Sequence, residues 1–191
     1  MYLDPLHERV LKNGGRVYPG GPPVILLVDI KADAAKTYAI LRDQLATYKD
    51  MLTVFTNDRT ETKAVTVILS GARPTDIVAA EPERLVAIDG RLPDLDANPS
   101  VHLVPLISDN WYSVFHWYGR KDMPEAVDKK MIDIVKRAHA QGRIVRFWAA
   151  PQNDYVWQKM WDAHVDLLNT DHLEKLRDFL LAHQAHAAVE K

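Results

Sequence analysis

The 191-residue chain contains no cysteine. Disulfide bridges and thiolate chemistry are therefore excluded. A charge excess is lacking too. Twenty-four Lys and Arg stand against 26 Asp and Glu, a formal net charge of −2. With no basic surplus to neutralise phosphates, nucleic acid is not an expected partner. No apolar run approaches the ~20 residues of a bilayer span, so no transmembrane segment is expected. The opening Met1-Tyr2-Leu3-Asp4-Pro5-Leu6 has neither a basic n-region nor an apolar h-region. It is not a secretory signal peptide, and the chain leaves its compartment undetermined. No Gly-x-Gly-x-x-Gly turn follows an apolar run, which counts against a dinucleotide-binding fold. Linkers and low-complexity tracts are also missing, so residues 1–191 read as a single domain.

What remains is an ordinary globular composition, 47% hydrophobic and 26% charged. A chain of this length buries roughly 70% of its unfolded surface, enough for one core. Apolar, β-branched runs recur: Val24–Ile30, Ala64–Ser70, Leu85–Asp89, His102–Ser108, Ile144–Ala149 and Val165–Asn169. Runs without polar alternation suit strands covered on both faces, as in parallel sheets. Leu52–Thr56 reads as an extra strand, turned into Ala64–Ser70 through Asn57-Asp58. Helical stripes lie between the runs. Ala34, Tyr38, Leu41, Leu45 and Tyr48 form one, and Val127, Met131, Ile134, Val135 and Ala138 form another. The second has Pro124 at its start and Gly142 past its end, the expected asymmetry. A short helix is expected over Pro151–Trp161. A last one is expected from Asp171, with Glu174 completing a partial capping box.

Strands alternating with helices define an α/β fold. Nearly every strand ends in polar residues: Asp29-Ile30-Lys31, Ser70-Gly71, Asp89-Gly90-Arg91, Ser108-Asp109-Asn110, Arg146-Phe147-Trp148 and Asn169-Thr170-Asp171. In a (β/α)₈ barrel such ends converge on one mouth, where active sites sit. A TIM-type barrel is therefore preferred to an open sheet. Six principal strands are two short of eight. Six units of about 28 residues fill positions 24–191, and eight would need roughly 224, within the usual size of the fold. The expectation is a barrel lacking its first two strands. Residues 1–23 would then supply a helix and loop left from the second unit.

Five segments carry a resemblance: Tyr2–Leu6 (YLDPL), Leu26–Lys31 (LLVDIK), Pro105–Trp111 (PLISDNW), Gly142–Pro151 (GRIVRFWAAP) and Val165–Leu180. In this order they resemble the phosphatidylinositol-specific phospholipase C-like superfamily. Within it they look most like the glycerophosphodiester phosphodiesterase-like branch that includes the altered-inheritance-of-mitochondria group. The resemblance implies a (β/α)₈ barrel and metal-assisted phosphodiester hydrolysis. The substrate class would be a glycerophosphodiester or a phospholipid-like head group. It implies Mg²⁺ or Ca²⁺ held by carboxylates, and a His pair as general acid and base.

Asp29 matches the family's third metal carboxylate, in an acid-x-Lys motif. Lys31 matches the catalytic lysine that faces the phosphate. Residues i and i+2 of a strand share a face, and hard cations take oxygen ligands. Trp148 matches a substrate-facing Trp on the seventh strand, and Arg146 would share its face and contact phosphate bidentately. The remaining carboxylates and both His belong to a part of the family pattern that this chain does not match. The 191 residues alone are therefore expected to be inactive. None of the eight His fits the missing pair. His116 follows a strand end without a motif, and His183 and His186 read as a solvated tail.

The bland readings are also definite. Asp29 and Lys31 could be a buried ion pair, and Trp148 a core aromatic. Arg146 could pair with Asp29 or Asp171, and Asp89 and Arg91 could form a salt-bridged rim. Ser108, Asp109 and Asn110 could simply cap a helix beginning near Trp111. Two other functions compete. One is a non-catalytic binding or scaffold barrel, with residues 1–23 sealing the open strand edge. The other, weaker, is a sugar-binding or glycosidase barrel built on the five Trp, for which Asp29 and Asp89 would serve as the carboxylate pair.

Overall fold

The computed structural model describes residues 2–189, with side chains through His183. The chain divides into two compact units. Unit one is Met1–Gly90 with Asn98–Pro105, and unit two is Arg91–Ala97 with Leu106–Lys191. Both are α/β, and in each the main strands run parallel.

Unit one begins with α1 (Leu3–Lys12), β1 (Val24–Ile30) and α2 (Ala34–Ala46). A two-stranded ribbon, β2 (Val54–Phe55) and β3 (Thr60–Glu61), precedes β4 (Val65–Gly71). Then come α3 (Thr75–Ala80) and β5 (Val86–Gly90). β4 lies between β1 and β5 and pairs in parallel with both. Its residues are buried apart from half-buried Thr66 and exposed Gly71, which explains its unbroken apolar run. Asn57-Asp58 does mark a turn, but β2 pairs antiparallel with β3 rather than with residues 64–70. Leu52 instead forms a single parallel bridge to Val65.

β1 is only half-buried over Val24–Val28, and among the described residues it pairs with β4 alone. Beside it lies an apolar cleft of about 1030 Å³, lined by Leu26, Val28, Ile40, Leu41 and Tyr48 among others. α1 does not seal this edge. His7 Nε2 donates to Asp50 Oδ2 at 2.7 Å and the Tyr48 hydroxyl donates to Asp4. These bonds tie α1 to the segment after α2, and only Tyr2 and Leu3 reach the cleft.

Unit two contains α4 (Asp94–Ala97), β6 (Leu106–Asn110), α5 (Trp111–Phe115), α6 (Glu125–Ala140), β7 (Ile144–Trp148), α7 (Asp154–Asp162), β8 (Leu167–Leu168) and α8 (Leu173–Val189). β7 is central, parallel to β6 on one side and β8 on the other. Phe147 is fully buried, its ring 5.0 Å from Phe115 and 6.0 Å from Trp111. Trp111 Nε1 donates to the Trp117 carbonyl at 2.9 Å, which settles its one polar atom in the core. α6 follows its predicted stripe: Val127, Met131, Ile134, Val135 and Ala138 are its buried residues. Gly142, at φ +72°, ends it.

The start of α8 differs from expectation. The helix begins at Leu173, and the Asp171 carboxylate accepts a bond from Gln152 Nε2 at 2.8 Å instead of capping. His183 is not solvated either. It is half-buried, its Nδ1 donates to the Phe179 carbonyl at 2.8 Å, and its Nε2 lies 2.7 Å from Gln158 Oε1. The His186 side chain lies outside the described residues.

α2 is held down by a buried phenol. Tyr38 is 2% exposed, and its hydroxyl donates to Glu81 Oε2 at 2.7 Å. Burial first, and the Glu81 contact second, push its pKa well above the ordinary tyrosine range. A folded pKa above the unfolded one gives stability that is complete below the unfolded value of about 10 and is lost as pH rises beyond it. Urea midpoints measured from pH 9 to 12 should therefore fall with pH, and the fall should be shallower by one proton in Tyr38→Phe.

Candidate functional site

In each parallel ladder the acidic residues stand toward the C-terminal ends of the strands. In unit one, β1 ends on Asp29 and Ile30, and Lys31 follows. The Lys31 ammonium lies 2.5 Å from Asp29 Oδ2, so the i, i+2 spacing does bring both groups to one side. The pair is not buried. The Asp29 side chain is 49% exposed and that of Lys31 82%. Solvent-exposed pairs of this kind contribute about 0–1 kcal/mol, so stability gives little reason for the arrangement. A ligand can reach both groups directly.

The neighbouring strand end is built differently. Asp29 sits opposite Ser70 in the β1–β4 ladder. Ser70 is buried, and its hydroxyl donates to Asp89 Oδ2 at 2.5 Å. Asp89, at the end of β5, is 1% exposed, and its carbonyl accepts from Arg73. Ser70 and Asp89 therefore form a buried polar tie between β4 and β5, beside the exposed pair on β1. Asp89 thus lies beneath the strand ends and not on an open rim.

In unit two, Arg146 and Trp148 alternate with buried Val145 and Phe147. They share the half-buried face, as their spacing requires. Arg146 donates through Nη1 to Ser108 Oγ at 3.2 Å and through Nη2 to Asn169 Oδ1. Ser108 is thereby a support for the guanidinium, while Asn110 is the helix cap, accepting from Ser113 N at 3.0 Å. Asp109 accepts from the Leu92 amide at 3.1 Å and from the Asn110 amide at 2.9 Å. β7 stops at Ala149, a non-glycine residue at φ +56°. That left-handed break costs of order 1 kcal/mol and sets Trp148 as the last residue of the strand.

The other sequence candidates are accounted for by structure. Trp111, Trp117 and Trp157 are buried core residues, which removes most of the aromatic basis for a sugar site. His116 is the left-handed C-cap of α5. His139 Nε2 donates to Asp166 at 2.8 Å on the surface. No three acidic or His side chains converge as a metal cage among the described residues. Sequence reasoning did not find the Ser70–Asp89 tie. Its trace was two strand ends, Ser70 and Asp89, each finishing an otherwise apolar run.

Comparison with known proteins follows the same geography. Residues 16–89 match the AIM6-like phosphodiesterase domain. That stretch contains β1 to β5, and with them Asp29, Lys31, Ser70 and Asp89. The chain is also 25% identical to altered inheritance of mitochondria protein 6 of Eremothecium gossypii, over 82% of this chain and 46% of that protein. To the protein of the same name from Lachancea thermotolerans it is 29% identical, over 79% of this chain and 43% of that one. The chain thus spans less than half the length of these relatives. No solved structure matches it. The similarity is to a phosphodiesterase-domain family, as the motifs implied.

Removing the Ser70 hydroxyl leaves the buried Asp89 carboxylate short of a donor. Ser70→Ala should lower stability by about 1–3 kcal/mol in urea denaturation. Loss of less than 0.5 kcal/mol, the scale of an exposed substitution, would contradict the assignment.

Proposed function

We propose that the chain carries part of a phosphoric diester hydrolase acting on a glycerophosphodiester or a phospholipid-like head group, on a (β/α)₈-type barrel frame. The observation that carries this is the exposed Asp29–Lys31 pair at the end of a parallel strand, inside the stretch that matches a phosphodiesterase domain. In this proposal the Lys31 ammonium takes a non-bridging phosphate oxygen, exchanging a weak exposed partner for a charge-assisted bond of about 1.5–3 kcal/mol. Within unit two, and as a separate feature, Arg146, steadied by Ser108 and Asn169, offers a planar fork suited to an oxyanion. Trp148, on the same face of β7, offers an apolar surface beside that fork.

Metal dependence is part of the same proposal, with Asp29 as one carboxylate of a Mg²⁺ or Ca²⁺ site. The described residues do not fit such an ion by themselves, because Asp29 stands without two further ligands. Because no His pair stands in acid–base positions among the described residues, in this proposal the 191 residues bind the diester without turning it over. Among the described residues no helix is long and apolar enough to cross a membrane.

Calorimetric titration of the chain with glycerophosphocholine, with Mg²⁺ or Ca²⁺ present, tests this. Binding should weaken roughly tenfold in Lys31→Met. Equal affinity in the wild type and this variant would contradict the proposed role of Lys31. Sustained release of choline or glycerol 3-phosphate would contradict the expected lack of turnover.

A further inference from the structure

Gly71 ends β4 at φ +72°, a backbone conformation that side chains rarely adopt. Its position is more informative than its angle. A Cβ built there would collide with Asp29 Oδ1 and with the Ile30 carbonyl oxygen. The space a side chain would take is already filled by the Asp29 carboxylate. The two obstacles differ in stiffness. The Ile30 carbonyl accepts from the Ala72 amide at 2.8 Å, so it is fixed in the ladder. The Asp29 carboxylate turns about a side-chain torsion and is the group that yields. On its other oxygen it holds Lys31.

We propose that Gly71 is a positioning residue: its absent side chain is the recess in which the Asp29 carboxylate stands while facing Lys31. Ser70, anchored to buried Asp89, fixes the neighbouring backbone, so the recess is held from the strand behind it. The functional consequence rests on the diester-binding reading of Asp29 and Lys31. The geometric claim does not.

The test uses the full chain carrying Gly71→Ala and, separately, Gly71→Asn. Asn tolerates a left-handed backbone but brings the same Cβ, so it separates crowding from torsional strain. Gly14→Ala is the control, since Gly14 has φ +66° and open space around its Cβ. Crystal structures should show the Asp29 carboxylate displaced by on the order of 1 Å, and parted from Lys31, in both Gly71 variants. It should be unmoved in Gly14→Ala. An undisplaced carboxylate in either Gly71 variant overturns the proposal.

If neither Gly71 variant crystallises, a stability cycle with Asp29→Ala decides. Gly71→Ala should lower the folding constant at least about tenfold less when the carboxylate is gone, and additive effects overturn the proposal. Glycerophosphocholine affinity should also fall roughly tenfold in both Gly71 variants, close to the Lys31→Met loss. Wild-type affinity in a variant whose carboxylate has moved overturns the positioning role. A wild type that binds no diester defeats the functional reading, while the Asp29 displacement still decides the place of Gly71.

Discussion

β4 is flanked on both edges and covered on both faces, and that cover constrains everything around it. A strand so enclosed accepts apolar side chains along its length and admits polar ones only where the cover ends. Its first polar group at the C-terminal end is Ser70, which needs a partner because it is buried, and Asp89 supplies it. One residue later Gly71 ends the strand, and the Asp29 carboxylate occupies the space beside it. The exposed Asp29–Lys31 pair thus stands on a foundation set by burial two strands away. In unit two the same rule operates through β7. Val145 and Phe147 are sunk in the core, and Arg146 and Trp148 emerge between and after them.

The two ladders handle charge differently. On β1 the pair is open to water, so its mutual attraction is weak and each group is available to a ligand. On β7 the guanidinium is half-buried and steadied by Ser108 and Asn169. Fixing a planar fork in advance lowers the entropy that binding must otherwise remove.

Much of this was legible in the residues themselves. Unbroken apolar runs marked β1, β4 and β5, because strands buried on both faces need no polar alternation. The periodic stripe of α6, with Pro124 before it and Gly142 after it, fixed that helix to within a few residues. What escaped was long-range. Asn57-Asp58 announced a turn without saying which strand would pair across it. Asp171 looked like a helix cap, because nothing local revealed that Gln152 would claim its carboxylate. Asp29 and Lys31 were legible through spacing and family resemblance. Their exposure was not, since a strand's own sequence does not say whether its end is covered. The recess at Gly71 is invisible for the same reason: a glycine after a strand reads as a turn until the neighbouring carboxylate is seen beside it.

The central claim is that the exposed Asp29–Lys31 pair is a landing point for a phosphodiester. The Lys31 ammonium resonance, followed by NMR while the chain is titrated with glycerophosphocholine, tests this most directly. The account predicts a shift that saturates with added diester and is absent when choline alone is added. A Lys31 resonance unmoved at saturating diester would contradict it.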